Sequence, residues 1–240
     1  MTGGQAMRSV TALLTMGFFW AIPAHSAQVC ADRVQPVSAS AELLLPDFTV
    51  SHEKPSAHIR NSEESKTRKE RTPLGLTSVK MVKVVIRLTW KQAALDQGAC
   101  LRPSAILAKV GYEARIIRIA SEIQKDSCLY KEVLEHENRH IYIGEKALAE
   151  YTVNLSGDLA KFVSTFSPTF IANENHEEIR GLKERQQHEV MKYVVDYMDN
   201  FKQVYEKSQI AIDDNKEYER LGSVCGGAAK SLRNDLGARN

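Results

Sequence analysis

His136, Glu137 and His140 are the residues of this chain whose types and spacing could do chemistry together. They stand as His-Glu-x-x-His within Cys128-Leu-Tyr-Lys-Glu-Val-Leu-Glu-His-Glu-Asn-Arg-His140. On an α-helix, residues four apart lie one turn above each other, so both imidazoles face one point. Two neutral imidazoles there can hold Zn²⁺, and the glutamate beside the first can serve as general base toward a water that the ion activates. The chemistry expected of such a set is metal-assisted hydrolysis.

A helix has to carry that set, and the sequence supplies one. Asp126-Ser127 offers an N-cap, and no proline interrupts residues 128–166. Val133, Ala147, Leu148, Tyr151, Leu155, Leu159, Phe162 and Phe166 recur at helical spacing, with both histidines at the edge of the stripe. Ser167-Pro168 marks a break. A second helical pattern runs from about Asn175 to Ile212, with Val190, Val194, Tyr197, Met198, Phe201, Val204 and Tyr205 as its apolar side. Two long helices with a short connection should pair antiparallel, which sets Met198–Lys202 opposite the histidines.

Upstream, Val82, Val84, Ile86, Leu88 and Trp90 alternate with other residues at the period of a strand. Gly98 and Pro103 read as loop, Ser104–Val110 as a short apolar segment, and Gly111 as a turn. Glu113–Ile123 alternates again and is placed to offer an edge beside the metal, where an extended peptide could bind through its backbone. The expected fold class is α+β: a small sheet of about three strands followed by a long antiparallel helical hairpin.

The remainder sets the boundaries. Arg8, the apolar run from Val10 to Pro23 and Ala24-His25-Ser26 form a secretory signal peptide over residues 1–27. Residues 28–75 read as an N-terminal arm and a flexible charged linker, and residues 76–240 as the working domain. Export to the periplasm or beyond follows, with no stable membrane span after cleavage. In an oxidising compartment the chain's 4 cysteines suggest up to two disulfides. Three pairings are possible among Cys30, Cys100, Cys128 and Cys225. Cys100 with Cys128 is preferred, because both flank the same predicted hairpin. A net charge of +2, with Lys and Arg interspersed among Asp and Glu, excludes a nucleic-acid binder.

A strand followed by a His-Glu-x-x-His helix and a further helix resembles the zincin metallopeptidases. The segment from Ser127 to His140 is similar to a group of small bacterial secreted proteins described as zinc-dependent proteases. The resemblance implies a zincin-like domain with Zn²⁺ as cofactor, His136 and His140 as ligands, Glu137 as general base and proton donor, and a peptide or cell-envelope protein as substrate. The pattern provides no third histidine soon after the motif, so the third ligand must come from further along. Asp196, Asp199, Asp213, Asp214 and Glu217 are the candidates. Tyr142, Tyr193 and Tyr197 are candidates to stabilise an oxyanion. The competing reading is a secreted metal-binding or helical interaction protein without turnover.

Overall fold

The structure is a computed structural model that describes residue 30 and residues 37–61, 73–173 and 175–237, apart from the side chains of residues 81–83. The segment read as a signal peptide, the side chain of Val82 and residues 62–72 of the stretch read as linker lie outside the described residues. In chain order the elements are β1 (Ser38–Leu44), β2 (Phe48–Ser51), α1 (Ser56–Arg60), β3 (Gly75–Leu95), β4 (Gly98–Ile119), α2 (Cys128–Ser164), β5 (Thr169–Ala172), α3 (His176–Ile212) and α4 (Asn215–Gly237).

One long strand organises the sheet. β3 pairs antiparallel with β4 from Gly75↔Ile119 to Leu95↔Gly98 and so occupies one whole edge of it. Three short strands occupy the other edge. β5 runs antiparallel along Gly98–Leu101, β1 parallel along Ala105–Gly111, and β2 parallel along Arg115–Arg118. Among the described residues, the result is a mixed five-stranded sheet with four helices. This corrects the expectation of a small sheet of about three strands followed by an antiparallel helical hairpin. The two main strands are 21 and 22 residues long, β5 is inserted between α2 and α3, and α4 completes the site.

The reasons are local. Pro103, which read as loop, lies inside β4 opposite Trp90 at a register shift. It falls between the stretch paired with β5 and the stretch paired with β1, where its missing N–H leaves no ladder bond unmade. Gly111, which read as a turn, is a close approach: a Cβ there would stand 1.9 Å from the Leu44 carbonyl oxygen. Residues 38–51, read as an arm, join the sheet through backbone pairing, and Ala39, Ala41 and Leu43 turn their small side chains to the core. Within the stretch read as linker, α1 buries Ile59 completely, and Glu122 accepts bonds from the Ser56 backbone N–H and hydroxyl.

The core has two parts because β4 changes face. Ile106, Ala108, Val110 and Tyr112 pack against Leu148, Leu155 and Leu159 of α2 and Val190, Val194, Met198 and Phe201 of α3. An extra residue, Glu113, interrupts the pairing with β3, since Lys80 opposes Ala114 and Met81 opposes Tyr112. A one-residue bulge reverses the side-chain alternation. Beyond it, Ile117 and Ile119 are the residues that meet Leu129, Tyr130, Val133 and Ile141 of α2, Ile59 of α1 and Ala229 of α4. The second part of the core lies under the His-Glu-x-x-His segment and fixes its height above β3.

Both cysteine pairs are disulfides: Cys30 with Cys100 and Cys128 with Cys225. The preferred Cys100–Cys128 pairing is therefore corrected. β4 carries Cys100 to the end of the sheet beside β5, where it meets the N-terminal segment instead of the start of α2. Among the described residues, no helix is long and apolar enough to cross a membrane.

Candidate metal centre

α2 starts where the capping residues say it should, with the Ser127 hydroxyl accepting from the Tyr130 N–H at 3.1 Å. Two turns later it presents the motif inward. His136, Glu137 and His140 are 7%, 5% and 5% exposed. His136 Nε2 and His140 Nε2 stand 3.2 Å apart, and Asp213 Oδ1 lies 3.0 Å from the first and 3.2 Å from the second. Among the described residues, this is the group of His, Cys, Asp and Glu donors that converge closely enough to share an ion.

The other ring nitrogens decide the protonation. Gln209 donates its Nε2–H to the His140 carbonyl at 3.3 Å, which fixes the orientation of the amide. Its Oε1 is then an acceptor, 2.7 Å from His140 Nδ1, so that nitrogen carries the proton. His136 Nδ1 donates to Glu217 Oε1 at 3.1 Å. Both Nε2 atoms consequently direct lone pairs at the same point as the Asp213 carboxylate. Three ligating atoms this close, with their lone pairs on one point, form an arrangement that a cation between them would bind. Ligands at about 2.0–2.1 Å from a tetrahedral ion stand about 3.3 Å from each other, close to the spacing here. The donor set fits a divalent metal, and the hydrogen bonds to both Nδ1 atoms are of the kind that orient ligating histidines.

Glu217 is the partner of His136 and not a ligand. Burial opposes its ionisation, but hydrogen bonds from Arg220, Arg139 and His136 outweigh that and hold its carboxyl at about 2. Arg139, the charged residue inside the motif, contacts the same Oε1, and Arg220 donates to both Glu217 oxygens and to Glu132. For His136, burial is the largest influence and pushes its pKa down, against the upward pull of Glu217. The neutral imidazole, the form that binds metal, is thereby favoured.

Glu137 points to β3. The Thr77 hydroxyl is 2.8 Å from Glu137 Oε2 and 3.0 Å from its carbonyl oxygen. Gly75 leaves the space for the carboxylate, because a Cβ there would lie 2.6 Å from Glu137 Oε1. Residues 73–80, the motif, Tyr205 and Gln209 of α3 and its C-cap Asp213 line a cavity of about 880 Å³.

Several expectations are settled by these positions. Of the five candidates for third ligand, Asp213 joins the histidines. Asp196 pairs with Lys192 on the surface, Asp199 is exposed, and Asp214 accepts from the Glu217 N–H at the start of α4. Of Met198–Lys202, Lys202 lines the same cavity as the histidines, whereas Phe201 packs on Tyr151, and Gln209 is the residue that reaches His140. Tyr142 is 66% exposed, and Tyr193 stacks on Phe162 far from the site. Tyr197 meets Tyr151; Tyr205 and Tyr218 are tyrosines that line the cavity, and burial pushes the Tyr205 phenol up to about 12. Glu113–Ile119 is not an edge, since β2 and β3 flank it; β3 is the strand beside the motif. Gln209, Thr77, Gly75 and Arg220 escaped the sequence reading. The spacing Tyr205, Gln209, Asp213, at four-residue steps on one helix face, is the signal that could have found Gln209.

No protein-family model, curated protein or solved structure matches this chain.

Proposed function

We propose that this chain is an exported zinc-dependent hydrolase acting on peptide bonds, with His136, His140 and Asp213 as ligands and Glu137 as general base. The observation that carries this reading is the convergence of two imidazole Nε2 atoms and one carboxylate oxygen at 3.0–3.2 Å, beside a buried glutamate. Zinc is favoured over harder cations by the two imidazoles. A bound Zn²⁺ supplies Lewis acidity that polarises a carbonyl and lowers the pKa of water.

The protein's own groups do the rest. Glu137, held by Thr77, takes the proton of the attacking water and passes it to the leaving amine. Among the described residues, β3 pairs with β4 along one edge only, and its Gly75–Lys80 stretch lines the cavity. An extended peptide adding to that stretch would gain backbone hydrogen bonds beside Glu137. The two disulfides fit an oxidising compartment.

The test uses zinc-loaded full-length protein with denatured casein as the probe substrate. The wild type should release peptides. Glu137→Gln should keep its zinc and lose hydrolysis by about 100-fold or more, the scale of a general base. Equal hydrolysis by both proteins would refute the role of Glu137, and its absence in both would refute the peptidase assignment.

A further inference from the structure

The first turns of α2 and α4 face each other in steps. Cys128 bonds covalently to Cys225, Glu132 pairs with Arg220 at 2.7 Å, and His136 donates to Glu217 at 3.1 Å. The disulfide stands eight residues before the ligand His136, and Cys225 eight residues after Glu217. Two antiparallel helical segments are thus fastened at three levels, with the disulfide about 12 Å from the metal ligand.

The segment so fastened buries little apolar surface. Between Ile210 and Val224, Leu221 is the one buried apolar side chain among the described residues. α3 contributes Gln209 as its last buried residue, and it too belongs to the site. After the disulfide the helix breaks, with Cys225, Gly226 and Gly227 all at positive φ, before Ala229 re-enters the core. The elbow that carries Asp213 and Glu217 is therefore attached mainly by polar contacts and one covalent bond, with Leu221 as its buried apolar side chain.

We infer that the Cys128–Cys225 disulfide is a redox clamp on the metal centre: the oxidised chain holds the ion, and the reduced chain releases it. The inference rests on the metal reading above and adds its regulation. Reduction by glutathione breaks the S–S bond. Two glutathione thiols give up two electrons and leave as their own disulfide, and the two protons end on the Cys128 and Cys225 thiols. Without the lowest step, the Arg220 and Glu217 contacts must hold the elbow alone, and His136 loses its fixed orientation. The same coupling makes the site competent only after the chain reaches an oxidising compartment.

Two measurements test it on the full chain. The first compares zinc dissociation constants of the wild type, a Cys128→Ser/Cys225→Ser variant and a Cys30→Ser/Cys100→Ser variant. Breaking the clamp should weaken binding 10–100-fold, the usual effect of losing a ligand's orienting partner, while the other pair changes it less than about threefold. The second keeps the native cysteines and guards against a variant that fails to fold. Binding couplings are reciprocal, so saturating zinc should shift the glutathione redox equilibrium of Cys128–Cys225 toward the disulfide by the same factor, read from labelled thiols at equilibrium, leaving Cys30–Cys100 unaffected. Equal effects on both disulfides, or none on either, would overturn the clamp while leaving the metal site intact. A wild type that binds no zinc would sink the metal reading and the clamp with it.

Discussion

Asp213 caps the C-terminus of α3 and meets both imidazoles, so one carboxylate closes a helix junction and the proposed metal site together. Asp213→Asn keeps the size and removes the charge. Zinc affinity should fall at least 10-fold by calorimetry, and an unchanged affinity would remove Asp213 from the ligand set. Gly75 is argued from space: a methyl at 2.6 Å from Glu137 Oε1 and 2.7 Å from Val133 Cγ1 forces one of them to move. Gly75→Ala should cost about 1–3 kcal/mol in a denaturant melt. It should lower hydrolysis more than zinc binding, since neither imidazole touches that methyl. The motif residues were legible because spacing four apart has one mechanical meaning on a helix. Asp213 was legible only as one of five acids, because nothing local to it says that the chain folds back. Gln209 and Thr77 are ordinary polar residues until a partner 69 or 60 positions away gives them a role.

At the scale of elements, α2 and α3 follow from apolar periodicity and caps, and their observed limits agree with the sequence to within about two residues. The sheet was harder to read for physical reasons. β4 contains a proline and a glycine that serve a bulge and a close approach, and both resemble loop punctuation in isolation. β1 alternates Ser and Ala, too little apolar contrast to announce a buried face. The helices are held on the sheet by a few large side chains, of which Phe201 is fully buried against Tyr151 at 5.3 Å. Phe201→Ala should lower stability by about 3–5 kcal/mol in equilibrium unfolding. A loss below about 1 kcal/mol would mean that α3 is not packed as described.

For the whole molecule, the charged network around the site makes stability depend on acid. Burial lowers the pKa of His136 below its ordinary 6.5, so the unfolded chain binds its proton first as the pH falls. Glu217, ordinarily near 4.5, is held at about 2, so between those values the unfolded chain again binds more protons. Both signs agree: the stability these groups give the metal-free protein is present at neutral pH, declines below about 6.5, and declines further from 4.5 toward 2. Thermal melts across that range should show the fall, and Glu217→Gln should flatten its lower part; an unchanged slope in the variant would contradict the network. The pairing of cysteines also belongs to this scale. Nothing in the spacing of Cys128 and Cys225, 97 residues apart, reveals that α4 returns to the start of α2. The central claim is that these returns build a metal site. Anomalous diffraction at the zinc edge from zinc-loaded crystals tests it most directly. The account predicts a peak bonded to His136 Nε2, His140 Nε2 and Asp213 at about 2.0–2.2 Å. Zinc-loaded crystals with no peak at that point would contradict it.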